Sequence, residues 1–387
     1  MGTLRLTRGG VLIAEAVVTR ETGVAGEVRN WTELAARATD PASAGKTFHM
    51  RAGDYGSTVT RILTSTVGVR FLGYPGEEGS VLFRRLDLKN CRNLIVDGFR
   101  ATHEVNQQGN TDCAVRRARI NSVQGDGYGI AGTGSSLNGC TRSGFEYCDM
   151  TGEQILETAY ALNVDCWAKG VSFHHPRTDC CWTWWCNGMT WEDCEFHSIV
   201  EHGPHNDGIQ CANDTSISGA KTQNMTIRGC YFHDNTSQCI FMRGGVFPNV
   251  TVENCLAVRC GGGFQSWAFF QVDGLTLRRN TAWAGGNADL SIRQEGTPTK
   301  RLTLDRNVIQ KWSLTDPTLA QNTIFREHNV GASGLTPGPS DLVLASPQFR
   351  DPSTDDYRLA GPLTFSNGQD TPGVDWRPAD KQFGPDW

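Results

Sequence analysis

Apolar and polar positions alternate with period two in a segment that recurs along the chain. It reads GMTWEDCEF from Gly188, NMTIRGCYF from Asn224, NVTVENCLA from Asn249, GLTLRRNTA from Gly274 and RLTLDRNVI from Arg301, with a fainter NLIVDGF from Asn93. Met189, Met225, Val250, Leu275 and Leu302 are apolar, and threonine follows each of them. Trp191, Ile227, Val252, Leu277 and Leu304 are apolar again. This period predicts a strand with the threonines on its outer face. The copies start 36, 25, 25 and 27 residues apart. No two-residue hairpin turn follows them, so each strand is expected to pair with its equivalent in the next copy. That is a parallel solenoid with one coil per repeat.

A second alternating row keeps the same order: GIQCA from Gly208, CIFMR from Cys239, GFQSW from Gly263 and DLSIR from Asp289. Aligned this way, Ile209, Ile240, Phe264 and Leu290 point inward, and Gln210, Phe241, Gln265 and Ser291 outward. Cys211, Met242, Ser266 and Ile292 return inside, and Ala212, Arg243, Trp267 and Arg293 emerge. Three positions after the inner Trp191 row stand Cys194, Cys230, Cys255, Asn280 and Asn307. In a stack this row falls at a corner, where asparagine amides bond along a ladder and a small thiol fills the same buried slot. Those three cysteines are therefore read as inert thiols rather than disulfides or metal ligands.

Composition narrows the class. The chain has 387 residues, 36 Lys+Arg against 41 Asp+Glu, 44 glycines and 14 cysteines. A net charge of −5 argues against a general nucleic-acid binder, and the glycine content suits a turn-rich β protein. No apolar run is long enough for a membrane span. The N-terminal stretch carries no secretory apolar core, because Glu15 interrupts it.

The two registered rows resemble the right-handed parallel β-helix superfamily typified by pectate lyases. The resemblance covers about residues 45–312. NWTELAARA at 30–38 resembles the capping helix of such folds, FHMRAGDYG at 48–56 their first coil, and SPQFRDPSTDDYRLAG at 346–361 a closing tail. It implies an all-β chain: a single-stranded right-handed parallel β-helix of about ten coils with an N-terminal capping helix. Residues 1–28 would be an extension, 29–312 the helix and 313–387 a loop-rich closing segment. The superfamily holds lyases, hydrolases, epimerases and viral tailspikes, so the site must decide the function.

EHGPHNDGIQCAND at 201–214 puts His202, His205 and Asp207 in the turn entering the second-row strand. Gln210, Arg243, Gln265, Trp267 and Arg293 are expected beside it on one solvent-facing strip. Tryptophan stacks on sugar faces and arginine pairs with carboxylates, so the strip predicts binding of an acidic, uronate-containing polysaccharide. For β-elimination or C5 epimerisation, His205 is the candidate base, Arg243 the neutraliser of the carboxylate and Asp207 the group that orients the imidazole or holds a cation. PHND at 204–207 resembles the Asp-Pro-His-Asp/Glu signature of alginate C5-epimerases, with Gly203 in place of the first Asp. NDGI at 206–209 resembles the Asn-x-Asp-Gly motif of polygalacturonases, whose later motifs are missing. His202, Gln210, Gln265, Trp267 and Arg293 are the substrate-binding candidates.

No resident metal or cofactor is expected, with calcium as a possible cation at the site. A metal site built from His202, His205 and His233 is weakly signalled. Trp182, Trp184 and Trp185 are open between a glycan platform, an oligomer contact and a loop cluster. The rival class is a non-enzymatic spike of a virion or appendage, attached through residues 1–28 and trimeric. Extracellular or virion-associated placement follows from either reading.

Overall fold

The computed structural model describes residues 24–122, 135–152, 155–158, 162–176, 178–200, 206–213, 222–261, 265–284, 288–293, 299–315, 323–334 and 338–387. It also describes the strands Gly2–Arg8 and Val11–Val18, which pair antiparallel. The repeat folds as expected, into a right-handed parallel β-helix. The strand that carries the recurring threonines stacks into a first sheet of thirteen strands, from Val24–Val28 to Thr323–Glu327. A second face holds short strands such as Ser172–Pro176, Glu195–His197 and Tyr231–His233. A third holds Cys181–Thr183, Ile209–Ala212, Ile240–Arg243, Gln265–Phe270 and Ala288–Arg293. Strand Val308–Leu314 runs from the second face into the third and joins them.

The helix is longer than the repeat alone suggests. Val24–Val28 already pairs with Thr47–Met50, so the extension stops short of residue 28. At the other end Thr323–Glu327, Val330–Ser333 and Leu342–Val343 continue the stack beyond residue 312. These coils lack the threonine signature because their outer faces are different. The predicted cap is the α-helix Trp31–Thr39, buried through Leu34 and Ala38. Asn30 Oδ1 accepts the Glu33 N–H at 3.0 Å, and a Glu33 oxygen accepts the Arg29 N–H at 2.8 Å.

Between the first and second sheets the described coils from Gly98 to His328 each turn through one left-handed residue, among them Asp193, Gly229, Asn254, Arg279 and Arg306, with φ from 51° to 61° for these five. The next residue points inward. Here stand Cys194, Cys230 and Cys255, fully buried free thiols, followed by Asn280, Asn307 and Asn329. Thiol and amide serve the same carbonyl row. Cys194 Sγ donates to Ala168 O at 3.3 Å and Cys255 Sγ to Ile227 O at 3.5 Å. Asn280 Nδ2 donates to Val252 O at 2.8 Å and Asn307 Nδ2 to Leu277 O at 2.9 Å. The asparagines add rungs to each other, Asn280 to Asn307 at 3.0 Å and Asn307 to Asn329 at 2.9 Å.

Removing a middle rung orphans several buried groups. Asn307→Ala is expected to lower unfolding stability by about 2–4 kcal/mol. Asn307→Cys is expected to lower it by about half that, because a thiol still reaches Leu277 O. Urea unfolding of both variants checks this; equal losses would show that the carbonyl bond contributes little.

Outside the first sheet the residues ahead of this turn alternate in charge along the stack: Glu146, Lys169, Glu192, Arg228, Glu253, Arg278 and Asp305, in register. Lys169–Glu192 is 3.1 Å and Arg228–Glu192 2.7 Å. A coil slipped by one strand would oppose like charges, so this ladder fixes which coil follows which. Two antiparallel hairpins, 349–359 and 363–370, pack against the second face, Tyr357 in one cluster with Tyr231, Leu256 and Val258, and Leu359 and Phe365 with Val308 and Val330. Residues 373–387 then run back along the turns. Gly373 N–H donates to Arg306 O at 2.7 Å, Trp376 Nε1 to Asn254 O at 2.8 Å, Lys381 Nζ to Gly229 O at 2.8 Å and Gly384 N–H to Gly170 O at 2.8 Å. All four acceptors belong to left-handed turn residues, so this strap satisfies carbonyls that point out of the stack.

Candidate functional site

The third face carries the predicted strip, and the register of its strands decides which side chains reach solvent. Ile209 pairs with Ile240 and Gln210 with Phe241, as the alignment predicts. The next coil does not follow it. Ile240 pairs with Trp267, Phe241 with Ala268 and Met242 with Phe269. Three more residues than expected are spent before this strand. An odd shift exchanges inner and outer faces. Trp267 is therefore fully buried beside Phe232, with ring centroids 6.5 Å apart, and is not a substrate platform. Phe270 takes the outer place beside Arg243 and pairs with Arg293. The Gln265 backbone joins the strand opposite Ala288.

Two outer columns result. One runs Trp182, Gln210, Phe241, Ala268 and Ser291, of which Ala268 and Ser291 are covered and fully buried. The other places Arg243, Phe270 and Arg293 on three consecutive coils. Arg243 is exposed, its guanidinium 5.9 Å from the Phe270 ring centre. Phe241 meets Phe270 edge-on at 5.9 Å, and Arg293 Nε donates to Ser291 Oγ at 2.8 Å. Trp182 and Trp184 stand edge-to-face at 4.9 Å at the N-terminal end of this surface, and Trp191 is in the core.

His202 and His205 lie outside the described residues. Asp207 does not share their predicted setting: it is fully buried, its N–H donating to Asp179 Oδ1 at 2.7 Å. Gly208 follows without a side chain, and the corner closes over the carboxylate. A buried Asp207 cannot flank a glycosidic bond in an open groove, so the polygalacturonase-like reading of NDGI loses its carboxylate. Gln210 is half-buried, and with its amide turned to donate, its nitrogen lies 2.7 Å from Asp179 Oδ2. Among the described residues no three His, Cys, Asp or Glu side chains are placed to hold one metal ion.

A second acid borders the strip. Asp289 is 1% exposed, Oδ2 accepts the Lys311 N–H at 3.1 Å and Oδ1 has no partner. Burial pushes its carboxyl up to about 7 against the pull of Lys311. The folded chain thus keeps a proton that the unfolded chain releases near pH 4, and stability falls as pH rises from about 4 to about 7. Asp289→Asn is expected to raise stability at pH 8, by about 4 kcal/mol at most, and to give no gain at pH 4. Thermal unfolding at the two pH values checks this; an equal shift at both would remove titration as the cause.

The repeat reading missed a cluster on the second face. His174, His197 and His233 occupy one outer position on successive coils, their rings stacked at 4.9 and 5.1 Å. Each is followed by a left-handed residue, His175, Ser198 and Asp234 with φ 51–55°. That residue's side chain turns back to the imidazole Nδ1, at 2.8, 3.0 and 2.7 Å. Carboxylates stand at the other ring nitrogen: Asp149 2.6 Å from His174 and Glu195 3.1 Å from His233. Burial and the neighbouring imidazoles hold His197 down at about 4, against the pull of Glu195. Burial disfavours the charge of His233, but Glu195 and Asp234 hold it above the ordinary histidine value. The signal was present in the sequence as FHH, FHS and FHD in register.

A family model described as "Right handed beta helix region" matches residues 104–282. Among solved structures the chain is similar to a PL6 family polysaccharide lyase from Pseudopedobacter saltans, 13% identical, with 90% of this chain and 99% of that chain covered and a TM-score of 0.48. It is also similar to the A-module of mannuronan C-5 epimerase AlgE4 from Azotobacter vinelandii, 10% identical, covering 82% and 100%, TM-score 0.45. A third is pectate lyase Pel9A, 13% identical, covering 87% and 86%, TM-score 0.44. No curated protein matches the chain in sequence. No described helix is long and apolar enough to cross a membrane.

Proposed function

We propose that this right-handed β-helix, pectate-lyase-like in architecture, binds an acidic polysaccharide along its third face and abstracts the proton at C5 of a uronate unit. The observation that carries the reading is the outer column Arg243–Phe270–Arg293. Coils are about 4.8 Å apart, so the two arginines recur about every 9.6 Å along the axis with an aromatic ring between them. A polymer lying along the axis meets cation, apolar face and cation in turn, which suits carboxylates spaced along sugar rings. Arg243 is the neutraliser of the reacting carboxylate and His205 the base. Arg293, Phe270, Phe241 and Trp182 supply the binding surface, with Gln210 at its edge and His202 and Gln265 as further candidates. Calcium at the carboxylate remains compatible with this reading, as does an extracellular setting.

The test is incubation with a panel of uronate polymers, following absorbance near 235 nm for the unsaturated product and the proton spectrum of the polymer for inverted C5 centres. Elimination or epimerisation of at least one polymer is expected. Binding without either change would leave a glycan-binding protein of the appendage or spike class. Absence of both binding and turnover would overturn the assignment of this face.

A further inference from the structure

We propose that the polysaccharide held by the third face is a heteropolymer, with uncharged sugar units on the N-terminal side of the uronate that meets Arg243. The inference rests on the assignment of that face as the polysaccharide strip and narrows its substrate class.

The two outer columns do not begin at the tryptophans. Asp87 pairs with Asn106 and Asn106 with Ser136, while Lys89 pairs with Gln108 and Gln108 with Asn138. Ser136 pairs with Glu157 and Glu157 with Trp182, so the first of these rows runs into the column of Gln210 and Phe241. The same register carries the second row into the column of Arg243, Phe270 and Arg293. Lys89 and Arg243 are six coil steps apart along it, about 29 Å at 4.8 Å per coil.

The chemistry changes along this line. Toward the C-terminal end the outward charges are the two guanidiniums of Arg243 and Arg293. Over the three N-terminal coils the two rows hold one acid, one cation and four neutral polar side chains: Asp87, Lys89, Asn106, Gln108, Ser136 and Asn138. Asp87 is buried and takes Arg85 Nε at 2.7 Å and Asn106 Nδ2 at 3.0 Å, so its charge is met. Ser136 Oγ donates to Asn106 Oδ1 at 2.9 Å. This row is thereby bonded to itself and held in place. The outer row is not: Gln108 is exposed, Asn138 is half-buried, and neither side-chain amide bonds another described residue.

A carboxamide offers a donor and an acceptor together, as a sugar hydroxyl requires. It brings no charge, so a carboxylate pressed against it loses water without gaining a counter-ion. The nearby carboxylates of Asp87 and Glu104 repel it further, and Arg85 already serves both, its Nη1 donating to Glu104 Oε1 at 2.5 Å. Neutral units are therefore favoured over the amides, and acidic units over the arginines. Trp182 and Trp184 mark the junction and suit either, because an indole stacks on the apolar face of a sugar whatever its substituent.

The test is a set of binding isotherms for the full chain with three polymers of matched length: a homopolymer of one uronate, a polymer in which that uronate alternates with a neutral hexose, and the neutral hexose polymer. The alternating polymer is expected to bind about 10-fold more tightly than the homopolymer, the size of one or two hydrogen bonds, and the neutral polymer most weakly. Gln108→Ala combined with Asn138→Ala should bring the ratio of the first two affinities to about one. Gln108→Lys combined with Asn138→Lys should reverse it, since each ammonium restores a counter-ion. Equal affinities in the parent chain, or a preference that survives the double alanine variant, would overturn the inference while leaving the face as an acidic-polysaccharide surface. Binding of neither acidic polymer would overturn the assignment of the face and this inference with it.

Discussion

Trp267→Ala is expected to lower unfolding stability by about 3–5 kcal/mol, the range for removing a large aromatic from a packed core. Trp267 is fully buried and its indole packs on Phe232. Its Nε1 has no hydrogen-bond partner, so Trp267→Phe forfeits no bond and should cost well under half as much. Chemical denaturation of both variants checks the size of the effect. A sugar platform on the outer face would behave oppositely: Ala would leave stability within about 0.5 kcal/mol and weaken glycan binding selectively. That second pattern would restore the register in which Trp267 faces solvent. Phe270→Ala is the companion change, because Phe270 now holds the outer position.

The misread coil shows where sequence legibility ends. Two local patterns compete in GFQSWAFF, Phe264 with Ser266 and Trp267 with Phe269, and both have period two. Only pairing with neighbouring coils separates them. The first sheet was legible over the five copies from Gly188 to Arg301 because threonine marks their outer face and a buried corner residue marks their end. The corner was legible even though cysteine replaces asparagine, since both side chains are small and both reach the same carbonyl. The strands at 24–28 and after residue 312 were not, because they share the stacking but not the threonines.

The site was legible in part. Arg243, Phe241 and Gln210 come from two coils whose alignment holds, and Arg293 lies in register with Phe270. Asp207 looked like a groove residue because it sits among histidines. Burial depends on which way the corner turns, and that follows from Gly208 and the neighbouring coil rather than from the residue types near it. The alternating charges from Glu146 to Asp305 and the repeated Phe-His pairs were both present in the sequence. Each occupies one position per coil, about 25 residues apart, and becomes a pattern only after the repeat has been aligned on its other positions.

His205→Ala is expected to lower kcat by roughly 10²–10⁴ on the responsive uronate polymer, the range for loss of a general base, while Kd changes little. Arg243→Ala should behave differently. Its guanidinium is exposed on the outer column, where it would meet the substrate carboxylate before and during reaction. The charge on that carboxylate grows as the C5 proton leaves, so the arginine contributes to both binding and the transition state. Arg243→Ala should raise KM and lower kcat together, and Arg243→Lys should recover binding better than turnover, because an ammonium keeps the charge but not the fork. Binding isotherms and initial rates on one polymer separate the two roles. Loss of the acidic limb of the pH–rate profile in His205→Ala would tie the imidazole to proton abstraction. An unchanged profile with parental turnover in both variants would remove the strip from catalysis and leave it a surface that holds glycan.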